Sequence, residues 1–144
     1  MADFVWIPII PMTLILGIIQ LIFVHKDESF RGSHAITHSI HILFVMPVFL
    51  FAIFNTEYFL ELTGLINSGI PLISNIWAVR VAIGLVFGIK SYIISRVLKT
   101  GGGGTGMHEG FIHVLLMMVL VTFSPLLWGW FGPVITPYLP NFLQ

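Results

Sequence analysis

Histidine is the first residue type in the chain whose number and spacing suggest chemistry. Six are present, at His25, His34, His38, His41, His108 and His113. His34, His38 and His41 stand at i, i+4 and i+7. On a helix advancing about 100° per residue, that spacing gathers three imidazoles into a stripe about 60° wide, with Thr37 near its edge. Glu109 and His113 are also one turn apart and share a face that Met117 continues, whereas His108 falls elsewhere on the same helix. Imidazole and carboxylate suit first-row metals such as copper, zinc and iron, and a thioether from Met117 or Met118 would favour Cu(I). Two histidines on facing helices can also ligate a haem. The expected metal set is therefore His34, His38, His41, Glu109 and His113, with copper, iron or haem b as the candidate cofactors. The plain alternative is that these rings are hydrated or bonded to backbone carbonyls at helix ends. His25, beside Lys26, Asp27 and Glu28, reads as such a solvated residue.

Lys90 is the second anomaly. It lies in an apolar run about 12 Å from that run's inner end, at a depth similar to that of His41. An ammonium there costs about 2.5–3.5 kcal/mol, so it is expected to face the protein interior or a wet cavity, with Glu109 as its carboxylate, or to snorkel toward the headgroups. Its charge works against a cation near the histidines unless it is paired. Gln20 and Ser91 add polar groups near the same level.

Other chemistries are excluded or unsupported. The chain has no cysteine, which removes disulfides, thiolate metal sites, iron–sulfur clusters and thiol catalysis. Glycines 101–104 followed by Thr105-Gly106 lack the Lys-Ser/Thr ending and the preceding strand of a phosphate loop, and read as a flexible turn. No nucleophile–base pair is legible, so autonomous catalysis is not expected.

The elements that must carry these residues follow from composition. Of 144 residues, 57% are hydrophobic and only 8% charged, against roughly 25% charged in soluble domains. So few charges cannot clothe a water-soluble surface, and an all-α integral membrane protein is expected. Six Lys/Arg balance six Asp/Glu, leaving no basic surface for nucleic acid. A span needs about 20 apolar residues, and four runs qualify, over 4–24, 35–54, 76–98 and 110–130. They make two hairpins in a single domain. The runs do not alternate as β-barrel strands do. The first run lacks a basic n-region and contains Pro8 and Pro11, so it is read as a retained helix rather than a cleaved signal. Pro47 and Pro125 are expected to bend the second and fourth spans. Segment 55–75 mixes Phe59, Leu60, Leu62, Leu65 and Ile66 with Glu57 and Glu61, as a short interfacial helix does. The end of the chain, 128–144, reads as an aromatic anchor; beyond the fourth span, 131–144 is expected not to continue as a helix.

Lys26, Arg31, Arg96 and Lys99 occupy the loops after spans one and three, while the opposite side offers only Arg80. The positive-inside rule then places both termini on the non-cytoplasmic side. A duplication is also suggested. Trp6 precedes Gly17 by eleven residues, as Trp77 precedes Gly88, and each hairpin loop ends in Gly-x-His, at His34 and His108. Such halves would be parallel repeats about an axis along the membrane normal.

The function these features imply is that of a small accessory or structural subunit of a larger membrane complex of redox or respiratory type. A copper membrane monooxygenase or a respiratory oxidoreductase would be a suitable host, with other membrane subunits and lipid as partners. Two alternatives stand beside it: a self-standing haem- or metal-binding electron carrier, and a proton-coupled transporter or proton relay using Lys90, Glu109 and the histidines.

Overall fold

The computed structural model describes residues 2–27, 34–100 and 110–140, with side chains over 2–23, 42–93 and 110–140. The described residues are helical and contain no strand. Six α-helices follow one another: α1 (Ile9–Asp27), α2 (His34–Phe54), α3 (Thr56–Leu62), α4 (Ile76–Thr100), α5 (Phe111–Thr122) and α6 (Ser124–Ile135). Single 3-10 turns, Leu65–Asn67 and Thr136–Tyr138, follow α3 and α6.

Proline placement explains several boundaries. The first apolar run opens at residue 4, but α1 starts only after Pro8, whose carbonyl accepts from the Met12 N–H at 3.0 Å. Pro11 then sits in the first turn, where a missing donor costs nothing. Pro47 is carried within α2, which continues as one helix to Phe54. The sharp bends come elsewhere. The axis turns by 58° between α2 and α3 and by 65° between α5 and the segment Ser124–Tyr138. Asn55 (φ −99°, ψ 14°) and Phe123 (φ −92°, ψ 10°) make these bends in the same bridge conformation. The second bend precedes Pro125, which cannot donate to the Val121 carbonyl. Contrary to the sequence-based expectation, the helix does not stop at 131. α6 runs to Ile135 with Pro133 inside it.

One core joins the helices. Met12 and Leu16 of α1, Ile42, Met46, Leu50 and Ile53 of α2, Phe87 of α4, and Met117 and Val121 of α5 form a single buried cluster. The α4–α5 crossing is close because Gly84 and Gly88 of α4 lie against α5. A Cβ on Gly84 would stand 1.9 Å from Thr122 Oγ1, and one on Gly88 would stand 3.2 Å from Met118 Sδ. Glycines four residues apart let two helix backbones approach in this way. In the α1–α2 hairpin Gly17 has the same part: a Cβ there would stand 3.3 Å from Ile42 Cγ2.

Each half of the chain has two helices, a bend, a further helix and a 3-10 turn, but α2 and α3 have 21 and 7 residues whereas α5 and α6 have 12 each. Positions 71 residues apart share environments. Leu16 and Phe87 are each 1% exposed, Gly17 and Gly88 each face the second helix of their hairpin, and Trp6 and Trp77 are both exposed.

The outside of the molecule is apolar. Ile18, Ile22, Phe44, Val48, Val86, Ile89 and Ile112 all point outward and exposed. The segment Ile76–Ile93 is by itself long and apolar enough to cross a membrane, yet only 17% of it is buried within the chain. The bent pairs α2–α3 and α5–α6 each qualify when counted as one span, and Ile9–Phe23 is a shorter apolar helix. A surface of this kind is matched to hydrocarbon rather than to water.

Candidate functional site

Of the five expected ligands, His113 is the one whose side chain is described. The side chains of His34, His38, His41 and Glu109 lie outside the described residues. α2 is helical from His34 onward, so the i, i+4, i+7 spacing places those three positions on one helical stripe. His113 stands in the first turn of α5, partly buried, with its ring stacked on Phe23 of α1. The centroids are 4.6 Å apart and the planes 8° from parallel. Met117, one turn further along the same face, is buried in the core, and Gln20 of α1 is buried too. α5 also packs on α2. Lys90 of α4 is partly buried. Among the described residues, no three His, Asp or Glu side chains gather closely enough to hold a metal ion.

A second polar cluster lies at the opposite end of the bundle and was not anticipated. Its centre is Asn55, which is fully buried in the bend between α2 and α3. The Asn55 amide pairs with both backbone groups of Val5: the Val5 N–H donates to Oδ1 at 2.8 Å, and Nδ2 donates to the Val5 carbonyl at 2.8 Å. Nδ2 also donates to the Phe51 carbonyl at 3.0 Å. The segment before α1 is thereby tied to the end of α2. The Ala2 N–H donates to the Glu61 carboxylate and adds a second tie.

Bending a helix strips carbonyls of their regular donors, and in a low-dielectric setting each must find another. Here the Thr56 hydroxyl is shared between the carbonyls of Ala52 (2.9 Å) and Ile53 (3.0 Å). Arg80 Nε of α4 donates to the same Ile53 carbonyl at 3.1 Å. The Arg80 guanidinium lies 5.0 Å from the Trp77 ring centroid, a cation–π contact, and Glu57 adds a coulombic attraction. Arg80 thus ties α4 to the end of α2 through that carbonyl.

Compared with protein-family models, characterised proteins and solved structures, the chain matches none of them.

The second bend is closed differently. The Thr122 hydroxyl donates back to the Met118 carbonyl at 2.7 Å, and the Ser124 hydroxyl is fully buried with no hydrogen-bond partner among the described residues. Chemically the outer cluster is a clamp: its amide, hydroxyl and guanidinium are engaged by backbone, with no acid–base pair directed at a cavity. Its signals were present in the sequence. Asn55-Thr56 ends the second apolar run, Trp77 and Arg80 are i, i+3, and Gly84-x3-Gly88 is a small-residue pair at helix-packing spacing.

Proposed function

We propose that the protein is a small accessory subunit of a larger membrane complex, crossing the membrane four times as two hairpins related as parallel repeats. The observation that carries this reading is the combination of an outward apolar surface with inward polar groups spent on bracing. A span buried over only 17% of its residues within its own chain has most of its circumference to offer to neighbouring helices or lipid. The polar groups of the outer cluster meanwhile lock the bends and leave little for a substrate. The 58° and 65° bends turn α3 and α6 toward the plane of the interface, where Trp130, Phe131 and Tyr138, all exposed, suit the headgroup region. Both termini are assigned to the non-cytoplasmic side.

The host is a redox or respiratory assembly, and His34, His38, His41, Glu109 and His113 are its metal or haem ligands on this subunit. Two features support the assignment: positions 34, 38, 42 and 46 form one helical row on α2, in which Ile42 and Met46 are core residues, and α5 packs on the same helix.

Extraction of native membranes in mild detergent, followed by mass analysis and metal determination of what accompanies the chain, tests the reading. A fixed set of partner subunits in constant ratio is the expected outcome. A chain that migrates alone would remove the subunit role, and a Soret band or stoichiometric copper on that lone chain, lost in His38→Ala, would establish the electron carrier instead. Proton flux through vesicles containing only this chain would establish the relay.

A further inference from the structure

The bracing of the outer bend uses only part of Arg80. Its Nε donates to the Ile53 carbonyl, and its guanidinium carbon lies 5.0 Å from the Trp77 ring centroid. The two terminal amino groups, which carry most of the guanidinium donors, have no acceptor among the described residues. The exposed Trp77 indole N–H has none there either. Glu57 completes the group. It follows Thr56, whose hydroxyl shares the Ile53 carbonyl with Arg80. Its carboxylate is exposed and attracts Arg80, but no ion pair joins the two among the described residues. Glu61, one turn further along α3, is already engaged by the Ala2 N–H.

We propose that Arg80, Trp77 and Glu57 hold the headgroup of a phospholipid of the phosphatidylethanolamine class in the non-cytoplasmic leaflet. Charge complementarity selects it. A cation and a carboxylate stand side by side, and the cation is pinned by a carbonyl and a ring, so they do not close on each other. The forked donors of a guanidinium match a phosphate, and the indole N–H adds a further donor. The carboxylate then accepts from the ammonium at the other end of the same headgroup. A choline headgroup carries no N–H to donate to Glu57, and a purely anionic one would meet its charge unrelieved. The depth agrees. Arg80 lies about 6 Å along α4 from Ile76, where a span leaves the hydrocarbon and where tryptophan concentrates. The inference rests on the membrane placement of α4 proposed above but not on the subunit role, since a lone chain would bind the same lipid.

The test is native mass spectrometry of the full chain in mild detergent, after incubation with equal amounts of phosphatidylethanolamine, phosphatidylcholine and phosphatidylglycerol bearing the same acyl chains. The expected result is a preference for phosphatidylethanolamine of about threefold over each of the others. Glu57→Gln should reduce its retention to the phosphatidylcholine level. Arg80→Lys, which keeps the charge and loses the fork, should lower retention of all three. Should that variant fail to fold by circular dichroism, Trp77→Phe removes the indole donor and should act in the same direction. An equal concentration of soluble glycerophosphoethanolamine should leave the bound lipid in place, and displacement by it would overturn the lipid as occupant. Equal retention of phosphatidylethanolamine and phosphatidylcholine would overturn the proposal, as would tighter retention of phosphatidylglycerol or an unchanged preference in Glu57→Gln. So would capture of a protein rather than a lipid by a photo-crosslinker at the exposed Val81 in native membranes. Loss of the preference while a cysteine at Val86 stays protected from a water-soluble maleimide would remove the lipid site alone. Rapid labelling at Val86 would remove the membrane placement with it.

Discussion

Asn55 concentrates at one position what the outer end of the bundle needs. Its amide is at once donor and acceptor, so it can match both groups of the Val5 backbone as a neighbouring strand would. No apolar residue of the same size can do this, and an Asp lacks the donor. Asn55→Ala should lower stability by about 1–3 kcal/mol, because it leaves buried backbone groups of Val5 without partners. Thermal unfolding in detergent would show this as a reduced midpoint, and limited proteolysis should find the segment before α1 released. Ser124 is the opposite case. Its hydroxyl is buried with no partner among the described residues, so Ser124→Ala should leave the midpoint unchanged or raise it, by up to about 1 kcal/mol. A clear drop would mean that a group outside the described residues engages that hydroxyl.

At the scale of elements, each hairpin depends on glycine where its helices cross. The tightest approach is at Gly84, where a methyl group would stand 1.9 Å from Thr122 Oγ1. Thr122 could yield only by giving up its bond to the Met118 carbonyl. Gly84→Ala should therefore cost about 1–3 kcal/mol, and Thr122→Ala in the same chain should recover part of that loss. A double-mutant cycle read by thermal midpoint tests the coupling, and simple additivity would show that α4 and α5 do not meet there. The bends belong to this scale too. Pro125 was legible as a cause of bending, and the turn beside it at Phe123 has that origin. The bend at Asn55 has no proline to announce it, and is held by Thr56 and Arg80, which take over the freed carbonyls.

The whole molecule presents hydrocarbon to its surroundings on every long helix. Because the chain contains no cysteine, single cysteines can be introduced without background. At Phe44, Val86 and Ile112, all exposed in the isolated chain, a cysteine should resist a water-soluble maleimide in membranes. At Asn67, in the 3-10 turn after α3, it should react from the non-cytoplasmic side, and at Lys26 from the cytoplasmic side. Reaction of both from the same side would overturn the assigned orientation, and rapid labelling at Val86 would mean that α4 faces water.

The amino-acid sequence alone determined the helical class, the positions of the long helices and the apolar character of the outside. These are consequences of composition and local periodicity, which each segment carries without reference to any other. Even so, α1 begins only after Pro8, later than its apolar run, and α6 continues past residue 131 to Ile135. The tie between the segment before α1 and the end of α2 was decided only by tertiary structure. Nothing local to Val5 or Asn55 says that they are partners across 50 residues, nor that Arg80 reaches the Ile53 carbonyl. The stacking of His113 on Phe23 likewise required α1 and α5 to meet. The physical reason is that a buried polar group must be satisfied by whatever lies nearest in space, and proximity in space is settled by the packing of all the helices together.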